Sequence, residues 1–384
     1  MTDNNIAMGL LGQLRPLGPL GLLGLLALVV LAGCSADPDA ADGPAPVEET
    51  GTPIAFYGAM EAGQEVTRAQ SSLNDYSATF TVYGYKNMGY DDETGSYTDL
   101  QTVFPGYTVN WIANSAATTV TNTHNWEYVA QKSEQTVKYW DWDAKAYRFF
   151  AVAAGGTTEK ALDTYEVNKP YETRTATGST LTIPVDCTNA ETCQATPYYT
   201  TLWFSNGQPG QPQFGDPVQL TFIKPIAKVR FNFIFEDPSI LAEDDPTGEK
   251  LLDNYSFKPT SGATIAIKGN LIVTYPLTGT GTAATVSIDR LSVSGTDFNA
   301  LTERDTWYAV LPVTGQGTYT LSLEVAGQPQ SCVVPAGYMN WSPGYEYTYI
   351  FKVHVDGGVG IDIVQSAFTP WTLEDVKDHE VYNW

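Results

Sequence analysis

Ala227-Lys228-Val229-Arg230-Phe231-Asn232-Phe233-Ile234-Phe235 places an apolar side chain at every odd position, with Lys228, Arg230 and Asn232 between them. Successive side chains of an extended chain point to opposite faces, so this period of two predicts a strand with one face in a core. The period returns in Tyr345–Val355, whose odd positions read Tyr, Tyr, Tyr, Phe, Val and Val. It returns again in Tyr319–Val325, in Tyr76–Val82, and through Ile265, Ile267, Leu271 and Val273. β-Branched and aromatic residues carry the pattern, and these fit a pleated, half-buried surface. No window of about ten residues follows the 3.6-residue period of an amphipathic helix. Turn formers punctuate the runs: Asn206-Gly207, Asp216-Pro217, Ser342-Pro343-Gly344 and Asp356-Gly357-Gly358. Many short strands at this spacing predict an all-β chain built from β-sandwiches.

The chain has 384 residues, enough for about two domains. Composition breaks at Asn206–Pro217, which is rich in Gly, Pro and Gln. The expected division is therefore an N-terminal sandwich over 52–216 and a C-terminal sandwich over 217–384. With 43 acidic and 20 basic residues the formal charge is −23. A field of that sign repels phosphates, which excludes free nucleic acid as a partner and disfavours an anionic membrane surface.

The N-terminus sets the compartment. Leu17–Leu31 is apolar apart from glycines and Pro19, too short for the ~20 residues that span a bilayer. It fits the hydrophobic region of a signal peptide over 1–33. The run ends in Leu31-Ala32-Gly33-Cys34, which resembles a bacterial lipobox. That resemblance makes Cys34 the lipid-accepting residue, and two or three acyl chains anchor stably where one would not. The region before the run carries Arg15 against Asp3, and translation starting at Met8 is an alternative. Residues 34–51 are acidic and rich in Pro, Ala and Gly, a flexible tether. Asp37, Asp39 and Asp42 loosely resemble a surface-export signal of Bacteroidetes lipoproteins. The expected location is the cell surface, with the periplasmic face of the outer membrane as the alternative.

Little catalytic material is present. There are three His and four Cys, with no G-x-S-x-G, P-loop, G-x-G-x-x-G or H-E-x-x-H pattern. No enzyme activity, metal or cofactor is expected. The loop Glu236–Lys250 carries six acids but lacks the alternating ligand pattern of a calcium loop, and reads as solvated. Cys187 and Cys193 lie close in a polar segment, where a local disulfide is the natural reading outside the cytoplasm. Cys332, before Val333-Val334-Pro335, reads as a buried free thiol. His354 falls on the outward set of its strand. Tyr139-Trp140-Asp141-Trp142, Trp307-Tyr308, Trp341, Trp371 and Trp384 either stack on sugars or fill cores, and core filling is the favoured reading.

In order along the chain, several segments resemble the fimbrillin family of Bacteroidales, the type V pilins. They are Pro53-Ile54-Ala55-Phe56, Val66-Thr67-Arg68-Ala69, Phe80–Tyr85, Val137–Asp141 with Tyr147–Ala153, Lys224–Arg230, Trp307–Pro312 and Trp341–Tyr349. The order carries the resemblance, since no single segment is specific. It implies two tandem transthyretin-like β-sandwiches. It also implies export as a lipoprotein, cleavage after an Arg by a surface protease, and filling of the vacated groove by a strand of the next subunit. Arg68 is the first basic residue after Cys34, so cleavage is expected between Arg68 and Ala69, with Ile54–Met60 as the strand that leaves. Ile361, Ile363, Val364 and Phe368 mark the candidate donor strand. The implied partners are other fimbrial subunits, the outer membrane through the lipid anchor, and a host protein or glycan. The runner-up reading is a surface glycan-binding lipoprotein that uses its aromatic side chains as platforms.

Overall fold

The computed structural model describes residues 51–61, 73–75, 77–156, 165, 168–261, 264–290, 298–313, 317–354 and 358–367. They are almost entirely β. The largest sheet runs in the order β1 (Phe56–Met60), β10 (Val218–Ile223), β8 (Tyr198–Thr200), β5 (Ala146–Ala153), β2 (Thr79–Asp91), β3 (Ser96–Trp111) and β4 (Trp126–Glu127). A short strand, β9 (Trp203–Ser205), also pairs with β5. A second sheet holds β14 (Thr285–Arg290), β13 (Lys268–Pro276), β7 (Gly178–Asp186) and β6 (Tyr171–Arg174). A third holds β15 (Tyr308–Val310), β11 (Ala227–Phe235), β18 (Tyr345–Val353) and β19 (Val359–Ala367). The fourth is β12 (Leu252–Pro259), β16 (Tyr319–Val325) and β17 (Gln328–Val334).

Alternation sends most apolar side chains of the strands into three large cores, with a small fourth cluster at Tyr97, Ala146 and Phe204. The third and fourth sheets enclose Phe231, Phe257, Leu321, Trp341, Tyr349 and their neighbours as a sandwich. β5 is buried along its whole length because both of its faces are covered. Tyr147, Phe149 and Ala151 enter a core with Phe56, Phe80, Phe104 and Trp126. Phe150 and Val152 face the second sheet with Leu181, Ile183, Leu271 and Tyr275. The Phe150 and Tyr275 rings stack 3.9 Å apart. In mid-β2 the ladder to β3 slips on either side of Gly84. A Cβ on Gly84 would lie 2.6 Å from the Phe149 ring and 2.7 Å from Phe104, so two rings close over the backbone there.

Loop 206–217, the composition break, joins β9 to β10 inside one sheet. β10 lies past residue 217 yet pairs with β1 and β8. β7, from before the break, pairs along β13, from well after it. Strands on both sides of residue 217 therefore share two sheets. Arg148 fastens this junction. It is fully buried, with its guanidinium against the rings of Tyr97 and Phe204 at 5.0 and 4.8 Å. It donates to Asn87 Oδ1 and to the Gly281 carbonyl, while Asn87 Nδ2 donates to the Leu277 carbonyl at 3.0 Å. Burial lowers its pKa to about 10.

Candidate functional site

β1 is the edge strand of the largest sheet, and β10, parallel to it, is its ladder partner. The sequence Phe-Tyr-Gly-Ala-Met lets it bury both faces: Phe56, Gly58, Ala59 and Met60 are all buried and Tyr57 is half-buried. The Phe56 ring meets Phe104, Tyr128 and Phe149 edge-on at 5.0, 5.8 and 5.6 Å. Gly58 admits Leu73, whose side chain would lie 2.9 Å from a Cβ. Tyr57 stacks on His124 at 4.9 Å, next to β4 at the opposite edge of the sheet. The sheet thus curls until its two edges meet at β1.

Main-chain bonds continue on both sides of the strand. Val218 N–H donates to the Ala55 carbonyl at 2.8 Å, and Glu61 N–H to the Phe222 carbonyl at 3.0 Å. Ile54 N–H donates to Lys138, and the Tyr128 hydroxyl to the Ile54 carbonyl at 3.0 Å. Desolvation at the end of the strand raises the pKa of Glu61. Arg68 and Ala69 lie just beyond Glu61, outside the described residues, as does Cys34. Leu73 then returns in a 3-10 turn against β1.

The candidate donor residues Ile361, Ile363 and Val364 lie in β19. That strand pairs antiparallel with β18, placing them opposite Phe351, Tyr349 and Thr348. Phe368 is outside the described residues. β19 ends the third sheet, so the segment expected to be given away is seated on its own sandwich.

Cys187 and Cys193 are bonded, with Cα atoms 4.2 Å apart. Cys193 lies in α1 (Ala190–Gln194), which is capped by Asn189 Oδ1, the acceptor from Thr192 N–H at 2.9 Å. Beneath it lies Lys224, which pattern reading passed over. It is 2% exposed, and its Nζ donates to the carbonyls of Gln194 and Thr196 at 2.9 and 2.5 Å. It sits 4.5 Å from the centre of the Tyr198 ring. Desolvation lowers its pKa from 10.5 to about 7. The available signal was a single Lys inside the apolar run Phe222-Ile223-Lys224-Pro225-Ile226.

Other expectations shift. Cys332 is a free thiol but only partly buried, because it lies on β17, the outer strand of its sheet. Lys228, on the polar set of β11, is buried rather than solvated. Trp307 covers it, and it pairs with Glu346 at 3.2 Å. The acidic loop is not wholly solvated either. Asp245 is 5% exposed and accepts the N–H groups of Glu249 and Lys250 at 2.8 and 2.7 Å. Trp341 and Trp140 fill cores, whereas Trp142 is 61% exposed. Trp371 and Trp384 lie outside the described residues. His354 faces outward toward Glu236 at 3.1 Å. Among the described residues no group of three or more His, Cys, Asp or Glu could hold a metal ion.

No protein-family profile and no curated protein matches the chain. Among solved structures, it is similar to a fimbrial protein from Bacteroides vulgatus at 12% identity and a TM-score of 0.40, covering 83% of this chain and 99% of that one. It is also similar to a fimbrial assembly protein from Parabacteroides distasonis, at 12% identity and a TM-score of 0.32, with 85% and 97% covered.

Proposed function

We propose that this chain is a fimbrial subunit of the cell surface, exported as a lipoprotein through Cys34 and assembled by strand exchange. The observation that carries this reading is the position of β1, a buried edge strand with one ladder neighbour, followed within eight residues by Arg68. Cleavage between Arg68 and Ala69 separates β1 from the rest of the chain. Its departure bares one edge of β10 and the apolar seats of Ile54, Phe56 and Met60. Refilling those three seats is worth about 5–9 kcal/mol at 1.5–3 kcal/mol per side chain. An unpaired strand edge over an apolar groove recruits another strand by main-chain bonding, with alternate side chains entering the pockets.

The incoming strand is the segment around Ile361, Ile363, Val364 and Phe368 of a neighbouring subunit, which must first leave its own β18. The partners are then further fimbrial subunits, the outer membrane through the acyl anchor, and a host protein or glycan at the exposed end. The test is limited digestion of the mature protein with an Arg-specific protease, read by N-terminal sequencing and an unboiled gel. A new N-terminus at Ala69 with a multimer ladder is expected. A clip at Arg68 that leaves only monomers refutes the exchange.

A further inference from the structure

β9 and β10 lie in one sheet but are not paired with each other. β9 bonds to β5, and β10 meets β8 only at Phe222 and Ile223. Beyond that point a half-open pocket of 320 Å³ lies between the two strands. That is room for about ten waters and lies within the usual range of small-ligand sites. Trp203, Leu220 and Thr221 line its walls. Thr201 comes from the β8–β9 link, Gln211 from loop 206–217, and Thr282 from the β13–β14 turn. Thr201, Gln211 and Thr282 are exposed and Thr221 is half-buried, and their side chains make no hydrogen bond to another described residue.

The shape selects against a peptide strand. An inserted strand needs edges about 9–10 Å apart along its whole length. Here β10 pairs directly with β8 at Thr200, and three residues later β9 begins. The gap is a wedge closed at one end, suited to a compact ring. The chemistry selects for a sugar. Hydroxyls and an amide both donate and accept, as sugar hydroxyls do. No charged side chain is among the described residues lining the wedge, and the net charge of −23 repels acidic sugars.

The rim is built rather than loose. Ser205 Oγ donates to the Pro212 carbonyl, and Gln213 Nε2 donates to the carbonyls of Gln208 and Gln211 at 3.1 and 2.6 Å. Phe214 of the same loop stacks on Trp140 at 5.5 Å, and Gly215 lies against the ring of the exposed Trp142. We propose that the wedge between β9 and β10 binds a neutral saccharide, with one ring inside and the continuing chain crossing loop 206–217 toward Trp142.

The test titrates the full chain with maltohexaose, xylohexaose, mannohexaose and lacto-N-neotetraose, and with the disaccharide of each series, following tryptophan fluorescence and heat. At least one hexa- or tetrasaccharide should give a saturable signal. Thr282→Val and Thr221→Val, checked for unchanged circular dichroism, should each weaken it about tenfold by stranding a sugar hydroxyl. Trp142→Ala should weaken the longer ligand and leave the disaccharide unaffected. Thr282 lies on an exposed turn, so its variant keeps the test valid even if Thr221→Val misfolds. No saturable signal at millimolar concentration with any probe overturns the proposal. So does binding that neither Thr variant alters, or saturable binding of an extended peptide that Thr282→Val abolishes.

Discussion

Replacing Lys224 by methionine should change how stability depends on pH. In the fold the amine has a pKa of about 7 against 10.5 when unperturbed. Between those values the unfolded chain holds a proton that the folded chain lacks, so stability rises with pH across the window. Below about pH 7 both states are charged, and the fold bears the full cost of the buried ammonium. At 1.36 kcal/mol per unit, that interval corresponds to at most about 5 kcal/mol. The carbonyls of Gln194 and Thr196 and the Tyr198 ring favour the ammonium, so about 2–5 kcal/mol is the expected rise. Methionine keeps the packing and removes the charge, leaving two bare carbonyls at a cost of about 1–3 kcal/mol each that does not vary with pH. The urea midpoint of wild type, measured from pH 7 to 10, should therefore rise relative to that of Lys224→Met, by an amount equivalent to about 2–5 kcal/mol. Each curve includes the same tyrosines and Cys332, whose contributions cancel in the difference. Two parallel curves would refute the assignment of a depressed amine to this site.

Three further outcomes are expected. Phe56→Ala empties the centre of the three-ring cluster around β1 and should cost about 3–5 kcal/mol by urea denaturation, while speeding cleavage after Arg68. Gly84→Ala drives a methyl group into the rings of Phe149 and Phe104 and should cost about 1–3 kcal/mol in the same assay, although alanine suits a strand better than glycine does. Cys187→Ser should lower stability by about 2 kcal/mol, the loop-closure value for so short a ring, and dithiothreitol should reproduce the loss in wild type but not in the variant.

The elements with a local signature were legible. Val229, Phe231 and Phe233 are buried as their alternation predicts, and so are Tyr347, Tyr349, Phe351 and Val353. Period two is a property of neighbouring residues, so a short window contains it. Lys228 was not legible, because the indole that covers it comes from position 307, far along the chain. Nor was the meaning of Asn206–Pro217. A Gly-, Pro- and Gln-rich stretch looks the same whether it links two domains or connects two strands of one sheet. The parallel pairing of β1 with β10 spans more than a hundred residues and leaves no local trace. Trp142 and Trp341 show the same limit, since nothing in their flanks tells an exposed indole from a core one. The saccharide wedge is harder still, because its lining is assembled from two strands, two links and a turn of different parts of the chain.

The pairing of β7 with β13 also has a consequence for timing. A sheet whose inner strands lie some ninety residues apart cannot close until the later one has been made. Asn87 waits longer still, since the carbonyl it holds belongs to Leu277, 190 positions away. Such distant partners raise contact order and slow folding. During synthesis, the first two hundred residues would thus wait without their second sheet. Once Thr285–Arg290 is in place, both halves should lock together and later melt in a single cooperative transition, with no stable fragment ending at residue 217.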